Sequence, residues 1–271
     1  PLLTGMPVER APLLVVPLFA VVFLAFVPLT VRAVDAGEWA VPAAAVGSWL
    51  LLPVDHVGVL LQVYPTTQAL FFLPAVLFAL VVYLRRETTV SLPGGLSPLA
   101  VLVCGLGVAI VLVHPQQGLN VAVLFGTGAV VQVVAARRWP ESAVASHRSL
   151  LAPAVVVAVA FVAWTARLPR FLGTAEAIGA TILSGGAAAP AAIGVRGSSL
   201  VELGGSIVEL FAKLYLLESA FLLVSGLAVL AALRRRVGDD GTRSLVAYLG
   251  AGMIPLGLLF LVYFLGSPTL A

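Results

Sequence analysis

The sequence predicts an all-α membrane protein, a polytopic bundle of transmembrane helices. Of the 271 residues, 61% are hydrophobic and 10% are charged, whereas a soluble domain is about half apolar and about a quarter charged. Apolar runs that approach or reach the roughly 20 residues needed to cross hydrocarbon recur along the whole length. A lipid-exposed backbone must satisfy its own hydrogen bonds, which favours helices, and the alternating segments of a β-barrel are absent.

Seven apolar runs are predicted to span the membrane, each ending where polar or charged residues interrupt it. They cover residues 12–31, 66–84, 98–113, 118–136, 150–166, 214–233 and 245–265. Between the first two spans, the apolar segment 40–54 is too short to cross comfortably. We interpret this segment as a re-entrant or interfacial helix, and a short eighth span is the alternative.

Arginine clusters predict the orientation, because short cytoplasmic loops collect positive charge. If seven spans alternate, one side has ten basic and five acidic residues, and the other has five basic and seven acidic residues. This predicts a multi-pass protein of the cell membrane with its N-terminus inside and its C-terminus outside. The basic residues cluster at the ends of apolar runs, which is typical of topology determinants, so we expect no nucleic-acid partner.

We expect one membrane domain over residues 1–271. The chain begins without Met, so this domain is interpreted as a fragment of a longer chain. Its long external loop, residues 167–213, contains two glycine pairs and two predicted amphipathic helices. The first covers about 174–184. The second begins near residue 199 and would lie on the membrane surface, because its apolar side chains recur at helical spacing.

The segment VLVHPQQGLN, residues 111–120, places polar side chains between two apolar runs, at the outer surface in this topology. His114 titrates near neutral pH, and Gln116 and Gln117 can each donate and accept hydrogen bonds. These groups could therefore bind a sugar hydroxyl or a phosphate. The alternative is a polar turn in which Pro115 ends a helix and the side chains cap two helices.

The segment DHVGVLLQVYPTTQ offers a second group of candidates before the span at 66–84. Asp55 and His56 can serve as a base and its orienting partner, or as metal ligands. Tyr64 lies at the mouth of the span and is a candidate for substrate binding. The alternatives are helix capping by Asp55 and an aromatic interface anchor at Tyr64. Because the chain has neither paired cysteines nor a HExxH motif, we predict no metal and no cofactor.

The segment WTARLPRF carries two arginines on the side that otherwise avoids positive charge. Arg167 and Arg170 each offer a planar fork of donors, which suits a lipid phosphate or a sugar phosphate. The alternative is ordinary contact with headgroup phosphates, combined with snorkelling.

Polar groups inside the spans are candidates for function by default, and Gln132 and Glu218 are two of them. Glu218 lies near the interface, where solvation or pairing with Lys213 would explain it equally well. Small residues in the third and fourth spans are expected to permit close helix packing. These are Gly105, Gly107, Gly126 and Gly128.

Taken together, the external polar turns, the outer arginines and the many spans resemble the membrane portion of a GT-C-type glycosyltransferase. The resemblance is architectural, covers most of the chain and is carried by YPTTQALFFLPA, VHPQQGLN and ARLPRF. The composition resembles that of haloarchaeal or other high-GC membrane proteins.

Members of that superfamily use a lipid-linked sugar donor and place an acidic catalytic residue in the first outer loop. The resemblance therefore implies a membrane enzyme that uses a polyprenyl-phosphate-linked sugar at the extracytoplasmic face. It implies Asp55 as catalytic base and Arg167 with Arg170 as a phosphate clamp. The wall of the pocket would be formed by the other substrate-binding candidates, His56, Tyr64, His114, Gln116 and Gln117. Asp35, Glu38 and Asp55 occupy a loop of that kind, but none of them lies in a clear paired-acid motif, which departs from the family pattern.

Two other classes of protein stay open. A transporter or channel would be expected to have ionisable groups within its spans and an inverted repeat. The sequence has few ionisable groups within the spans and no evident inverted repeat. A non-catalytic scaffold subunit, bound to membrane lipid and other membrane subunits, would explain the weak motifs. Convergence of the outer polar residues in one cavity open to lipid favours the enzyme, a midplane cavity favours transport, and dispersal favours the scaffold.

Overall fold

The computed structural model describes residues 11–34, 37–51, 65–85, 92–93, 97–169, 216–234 and 240–266, and isolated residues between 172 and 209. Every regular element in that part of the chain is an α-helix. In chain order these are α1 (Ala11–Val34), α2 (Ala40–Leu51), α3 (Pro65–Arg85), α4 (Pro98–Val113), α5 (Pro115–Arg138), α6 (Ala143–Ser146), α7 (Leu151–Thr165), α8 (Leu216–Leu233) and α9 (Asp240–Gly266).

A helix forms at each of the seven predicted positions, so the hydropathy pattern located the helices correctly. Prolines occupy the first helical position of α3, α4 and α5, where no backbone N–H is needed. Among the described helices, three are long and apolar enough to cross a bilayer: Leu14–Val34, Pro65–Arg85 and Pro115–Arg138. These three helices indicate a membrane-associated helical protein.

The core of the bundle lies around α5, which packs against α4, α7 and α9, while α3 packs against α1 and α4. Phe125 and Val121 of α5 are fully buried, together with Ile110 of α4 and Val157 of α7. Large apolar side chains cover much of the outer surface, as expected of helices that face lipid. The segment predicted as re-entrant or interfacial forms α2, which packs against α1.

Helices α1 and α3 run in the same direction. The rings of Phe19 and Phe72 lie 6.1 Å apart between centroids, and further along both helices the Nη1 of Arg85 donates to the carbonyl oxygen of Ala33 at 3.0 Å. Two consecutive spans of an alternating bundle would run in opposite directions. The structure therefore does not confirm seven alternating spans or the inside N-terminus that followed from them.

Helix α2, the helix described between α1 and α3, has 12 residues and is therefore about 18 Å long, whereas α3 has 21 residues and is about 30 Å long.

At one end of the bundle, which we call the Arg148 end, the last turn of α3 meets the residues that directly precede α4 and α7. Arg148 donates from Nη1 to the hydroxyl of Ser97 at 2.9 Å, and its guanidinium carbon lies 5.9 Å from the ring centroid of Tyr83. The hydroxyl of Tyr83 donates to the carbonyl of Ser149 at 2.7 Å. The C-terminal end of α3 and the N-terminal ends of α4 and α7 therefore meet here.

The opposite end, which we call the His114 end, contains the turn between α4 and α5 and the start of α3. The described cationic side chains are strongly sorted between the two ends. Seven of the eight lie at the Arg148 end: Arg32, Arg85, Arg137, Arg138, Arg148, Arg234 and Arg243. The eighth, Arg167, follows α7 at the His114 end.

The glycines predicted to permit close packing divide into two pairs of different character. A Cβ added at Gly107 would come 2.5 Å from Cγ2 of Val157, and one at Gly128 would come 2.7 Å from Cδ1 of Leu150. Among the described residues, a Cβ at Gly105 or Gly126 would meet nothing within 4 Å. The prediction is therefore confirmed for Gly107 and Gly128 and is wrong for the other two.

Candidate functional site

The candidate site is built around His114, which ends α4 and precedes α5. Its backbone is extended, with φ −153° and ψ 111°, and Pro115 follows as the first residue of α5. The N–H of His114 donates to the carbonyl of Ile110 at 2.9 Å, and its own carbonyl accepts from the N–H of Gly118 at 2.9 Å. The predicted tight turn is present, but the backbone of His114 does the capping. The imidazole makes no capping hydrogen bond and is left for another role.

The imidazole of His114 contacts the first turn of α3. Its Nε2 lies 3.0 Å from the hydroxyl oxygen of Thr66. Because a hydroxyl can donate or accept, this contact fits either neutral tautomer of the ring. Burial lowers the pKa of His114 below its usual value of 6.5, which favours the neutral ring at neutral pH. The second ring nitrogen, Nδ1, is buried and has no hydrogen-bond partner in the described part of the chain.

The two glutamines after Pro115 differ in where they lie. Gln117 is only 8% exposed, and its Oε1 accepts a hydrogen bond from the Nδ2 of Asn120 at 3.0 Å. Gln116 is exposed. Gln117 can be buried because Gly118 brings this turn close to α4: a Cβ at Gly118 would lie 2.8 Å from the Cα of Val111. The structure therefore turns Gln117 inward and Gln116 outward.

Gln68, in the first turn of α3, adds a second incompletely bonded group. Its Nε2 is buried and lacks a hydrogen-bond partner among the described residues, as does Nδ1 of His114. A buried polar atom left without a partner costs about 1–3 kcal/mol, and such atoms call for a specific explanation. A ligand or an ordered water that supplies the missing partner is one such explanation.

Arg167 lies at the His114 end but is not shown in contact with the polar group. Helix α7 starts at the Arg148 end and ends at Thr165, so the residues that follow it lie at the opposite end of the bundle. Arg167 is exposed, and its backbone N–H continues the last turn by donating to the carbonyl of Trp164 at 3.2 Å. It is the one cationic side chain that the described residues place at this end.

Several predicted residues lie outside the described part of the chain. These are Asp55, His56, Tyr64 and Arg170. The same is true of nearly all of the predicted amphipathic helices at 174–184 and from 199, and of the side chain of Glu218. Among the described residues, the structure brings His114 into contact with Thr66, and Gln117 and Gln68 lie within three residues of these two along the chain.

The link between α3 and the polar turn could not be seen in the sequence. Thr66 and His114 are 48 residues apart, and hydropathy does not say which helix ends are neighbours. The available signal was the alternation of spans, which places the start of the second span and the end of the third on the same side of the membrane.

Gln132 does not belong to this site. Its Nε2 donates to the carbonyl of Arg148 at 2.8 Å, and its Oε1 accepts from the N–H of Leu150 at 2.7 Å. Both ends of the amide are thus used by the backbone that leads into α7. The role of Gln132 is structural, which corrects the expectation that a polar group at membrane depth marks function.

A second ring nitrogen without a hydrogen-bond partner among the described residues, Nδ1 of His147, lies at the Arg148 end. The imidazole packs against the ring of Tyr248, with 5.7 Å between centroids. Burial, and then the charge of Arg85, lower the pKa of His147 below 6.5. His147 is thus held neutral among aromatic and cationic groups.

Comparison of the chain with family models, with curated proteins and with solved structures found no match. Within the described residues, no three side chains of the types His, Cys, Asp and Glu come together as a potential metal site. The polar residues at the His114 end are therefore the candidate functional groups of the described part of the chain.

Proposed function

We propose that this chain is a multi-pass membrane protein that binds a polyprenyl-phosphate-linked sugar at its His114 end and transfers the sugar there. One observation supports this above the others. Two helices bring Thr66, Gln68 and His114 to the same end of the bundle, and two buried nitrogen atoms of these side chains have no hydrogen-bond partner among the residues that the structure describes. This grouping of polar side chains at one end of the bundle supports an enzyme over a scaffold.

The chemistry of these side chains suits a sugar. A neutral imidazole, a hydroxyl and two carboxamides supply donors and acceptors without net charge, which matches the hydroxyl groups of a glycosyl unit. Arg167 adds the positive charge that a phosphate requires, and a guanidinium can bind two phosphate oxygens at once. At the edge of the hydrocarbon these contacts are stronger than in bulk water, because the surrounding dielectric is lower.

The remaining roles follow from the resemblance to GT-C-type glycosyltransferases. Asp55 is proposed as the catalytic base and Arg170 as the second arginine of the phosphate clamp. His56 and Tyr64 are proposed to bind substrate, and Tyr64 directly precedes the helix that carries Thr66.

The proposed topology has eight crossings, with α2 as the short one. Helix α1 then starts at the His114 end, so that both chain ends lie outside and the Arg148 end faces the cytoplasm. Relative to seven spans, Arg10 and Arg32 exchange sides. The cytoplasmic side still has ten basic residues and the outer side five, which satisfies the positive-inside rule.

Binding of a polyprenyl-phosphate sugar to the chain in nanodiscs tests the site. Arg167→Gln should weaken binding on the order of tenfold, the effect of losing one charge-assisted contact, and Arg167→Lys should recover only part of the affinity. Thr66→Val and His114→Ala should also weaken binding. Arg32→Gln removes a cation at the opposite end and should bind like wild type.

Transfer of a labelled sugar from the same donor to an acceptor separates the enzyme from its rivals. We expect turnover by wild type and none by Asp55→Asn. Binding without turnover would identify a non-catalytic subunit. If Thr66→Val, His114→Ala and Arg167→Gln all fold and bind as well as wild type, there is no sugar-phosphate site at the His114 end.

A further inference from the structure

An apolar groove runs along the outside of the C-terminal half of α5, far from the site just described. Its volume is about 380 Å³, and it is lined by Val130, Val131 and Val134 of α5, Trp139 after it, and Val144 of α6. Val130 and Val134 lie one turn apart and are both exposed. The groove therefore opens toward the surroundings of the bundle and not toward its core.

The position of the groove matches the depth of an acyl chain next to its headgroup. From Val130 to Trp139 the helix advances about 13 Å, which takes the groove from within a membrane-length helix to its end. Trp139 is 61% exposed at that end. Exposed tryptophans at helix ends are typical of the membrane–water interface, where the headgroups lie.

The charge at the end of the groove is positive. Arg137 and Arg138 are the last residues of α5 and are both exposed, directly before Trp139. Glu141, also exposed, is the one acidic side chain in the connection between α5 and α6. Two guanidiniums and one carboxylate give this end of the apolar groove a net positive charge. A positive end on an apolar groove is complementary to an anionic headgroup on a hydrocarbon chain.

We infer that this groove binds one acyl chain of an anionic phospholipid, whose phosphate contacts Arg137 and Arg138. The apolar walls remove the chain from the mobile bilayer, and the arginines select for negative charge. Glu141 opposes the same charge. This inference does not depend on the sugar-phosphate site, because it concerns the other end of the bundle.

Quenching of Trp139 fluorescence tests the inference with the full chain in vesicles. The other tryptophans are replaced by Phe: Trp39, Trp49 and Trp164. The vesicles contain unlabelled phosphatidylcholine with a minority of one brominated lipid, which is either phosphatidylglycerol or phosphatidylcholine. The bromine atoms lie near the carbonyl end of the acyl chains. We expect stronger quenching by the brominated phosphatidylglycerol. Equal quenching by the two lipids would overturn the inference.

Variants at the arginines test the charge. Each arginine near an anionic surface contributes a factor on the order of fivefold, so Arg137→Gln and Arg138→Gln should each lower the preference for phosphatidylglycerol by about that factor. Glu141→Gln should raise it. Arg32→Gln removes an exposed cation at the same end of the bundle, away from the groove, and should leave the preference unchanged. If Arg32→Gln lowers it as much as Arg138→Gln does, the effect is one of general surface charge and the site is refuted.

Variants of two neighbouring valines test the groove. Val133 and Val134 are each 44% exposed, but only Val134 lines the groove. Val134→Phe should fill the groove and reduce quenching of Trp139 by phosphatidylglycerol, whereas Val133→Phe should not. Equal quenching in the two variants would show that the chain is not bound in the groove. Both positions are on the surface, so thermal unfolding should be nearly unchanged and serves as the control for folding.

Discussion

The Nη1 of Arg85 donates a hydrogen bond to the carbonyl oxygen of Ala33 at 3.0 Å, which joins the last turn of α3 to the last turn of α1. Two helices whose C-terminal ends meet in this way point in the same direction. Helix α2 is the helix described between them. The direction of α1 relative to α3 therefore bears on how many times the chain crosses the membrane and on which side it begins.

Cysteine accessibility distinguishes eight crossings from seven. In a Cys104→Ala background, which removes the one native thiol, a cysteine at Gly37 should be protected from an impermeant reagent added outside. A cysteine at Gln116 should be labelled, and one at Trp139 should not. The seven-span scheme predicts labelling at Gly37, so that result would restore the interfacial interpretation of α2.

Two glycine pairs offer matched tests of helix packing. Gly107→Ala and Gly128→Ala place a methyl group against a neighbouring helix or loop and should destabilise the protein by about 1–3 kcal/mol. Gly118→Ala should cost most, because the methyl would meet the backbone of Val111 as well as its side chain.

The other glycine of each helix pair, Gly105 in α4 and Gly126 in α5, serves as a control. Gly105→Ala and Gly126→Ala meet nothing within 4 Å and should be neutral or stabilising by up to about 1 kcal/mol, since alanine favours helix. Thermal unfolding in detergent compares the variants. Equal losses at Gly105 and Gly107 would show that the packing of α4 against α7 differs from that described.

Replacement of Gln132 separates a structural amide from a functional one. Gln132→Leu leaves the carbonyl of Arg148 and the N–H of Leu150 without their partner, and each buried unpaired group costs about 1–3 kcal/mol. Gln132→Glu keeps the acceptor for Leu150 but loses the donor to Arg148. Both variants should lower the melting temperature and leave sugar-phosphate binding by the folded fraction unchanged. Loss of binding at unchanged stability would return Gln132 to the candidate site.

Acid should destabilise the folded protein through His114 and His147. Burial lowers the pKa of both histidines below 6.5 in the folded protein. As pH falls below 6.5, the unfolded chain therefore binds more protons than the folded chain does. The stability from these neutral rings is fully present above pH 6.5 and is lost as pH falls from there to the folded-state pKa values. Melting temperatures measured between about pH 5 and 8, the range in which histidine titrates, should fall less steeply for His114→Asn and His147→Asn than for wild type. Unchanged slopes would show that the two rings are solvated.

Helices could be located from the sequence because a helix in lipid needs a long apolar run, and because Pro98 and Pro115 mark helix starts. It could not give the direction of α1, since hydropathy is the same for parallel and antiparallel neighbours. The 12-residue α2 falls below the length at which an apolar run predicts a crossing. The candidate site was half predicted: His114 and Gln117 follow from their polarity, whereas their association with Thr66 depends on which helices are neighbours.

The loop before α7 is held through its backbone as well as through side chains such as that of Arg148. Three side chains from three helices bind backbone groups within residues 144–150, and they are Tyr83, Gln132 and Tyr248. Carbonyl oxygens and N–H groups are the same whatever residue carries them, so substitutions there should alter these bonds little. Adding or deleting a single residue would move every carbonyl out of register with all three helices at once. We therefore expect this loop to have a fixed length and to accept changes of residue type except where a side chain is itself in contact, as at Arg148 and Leu150.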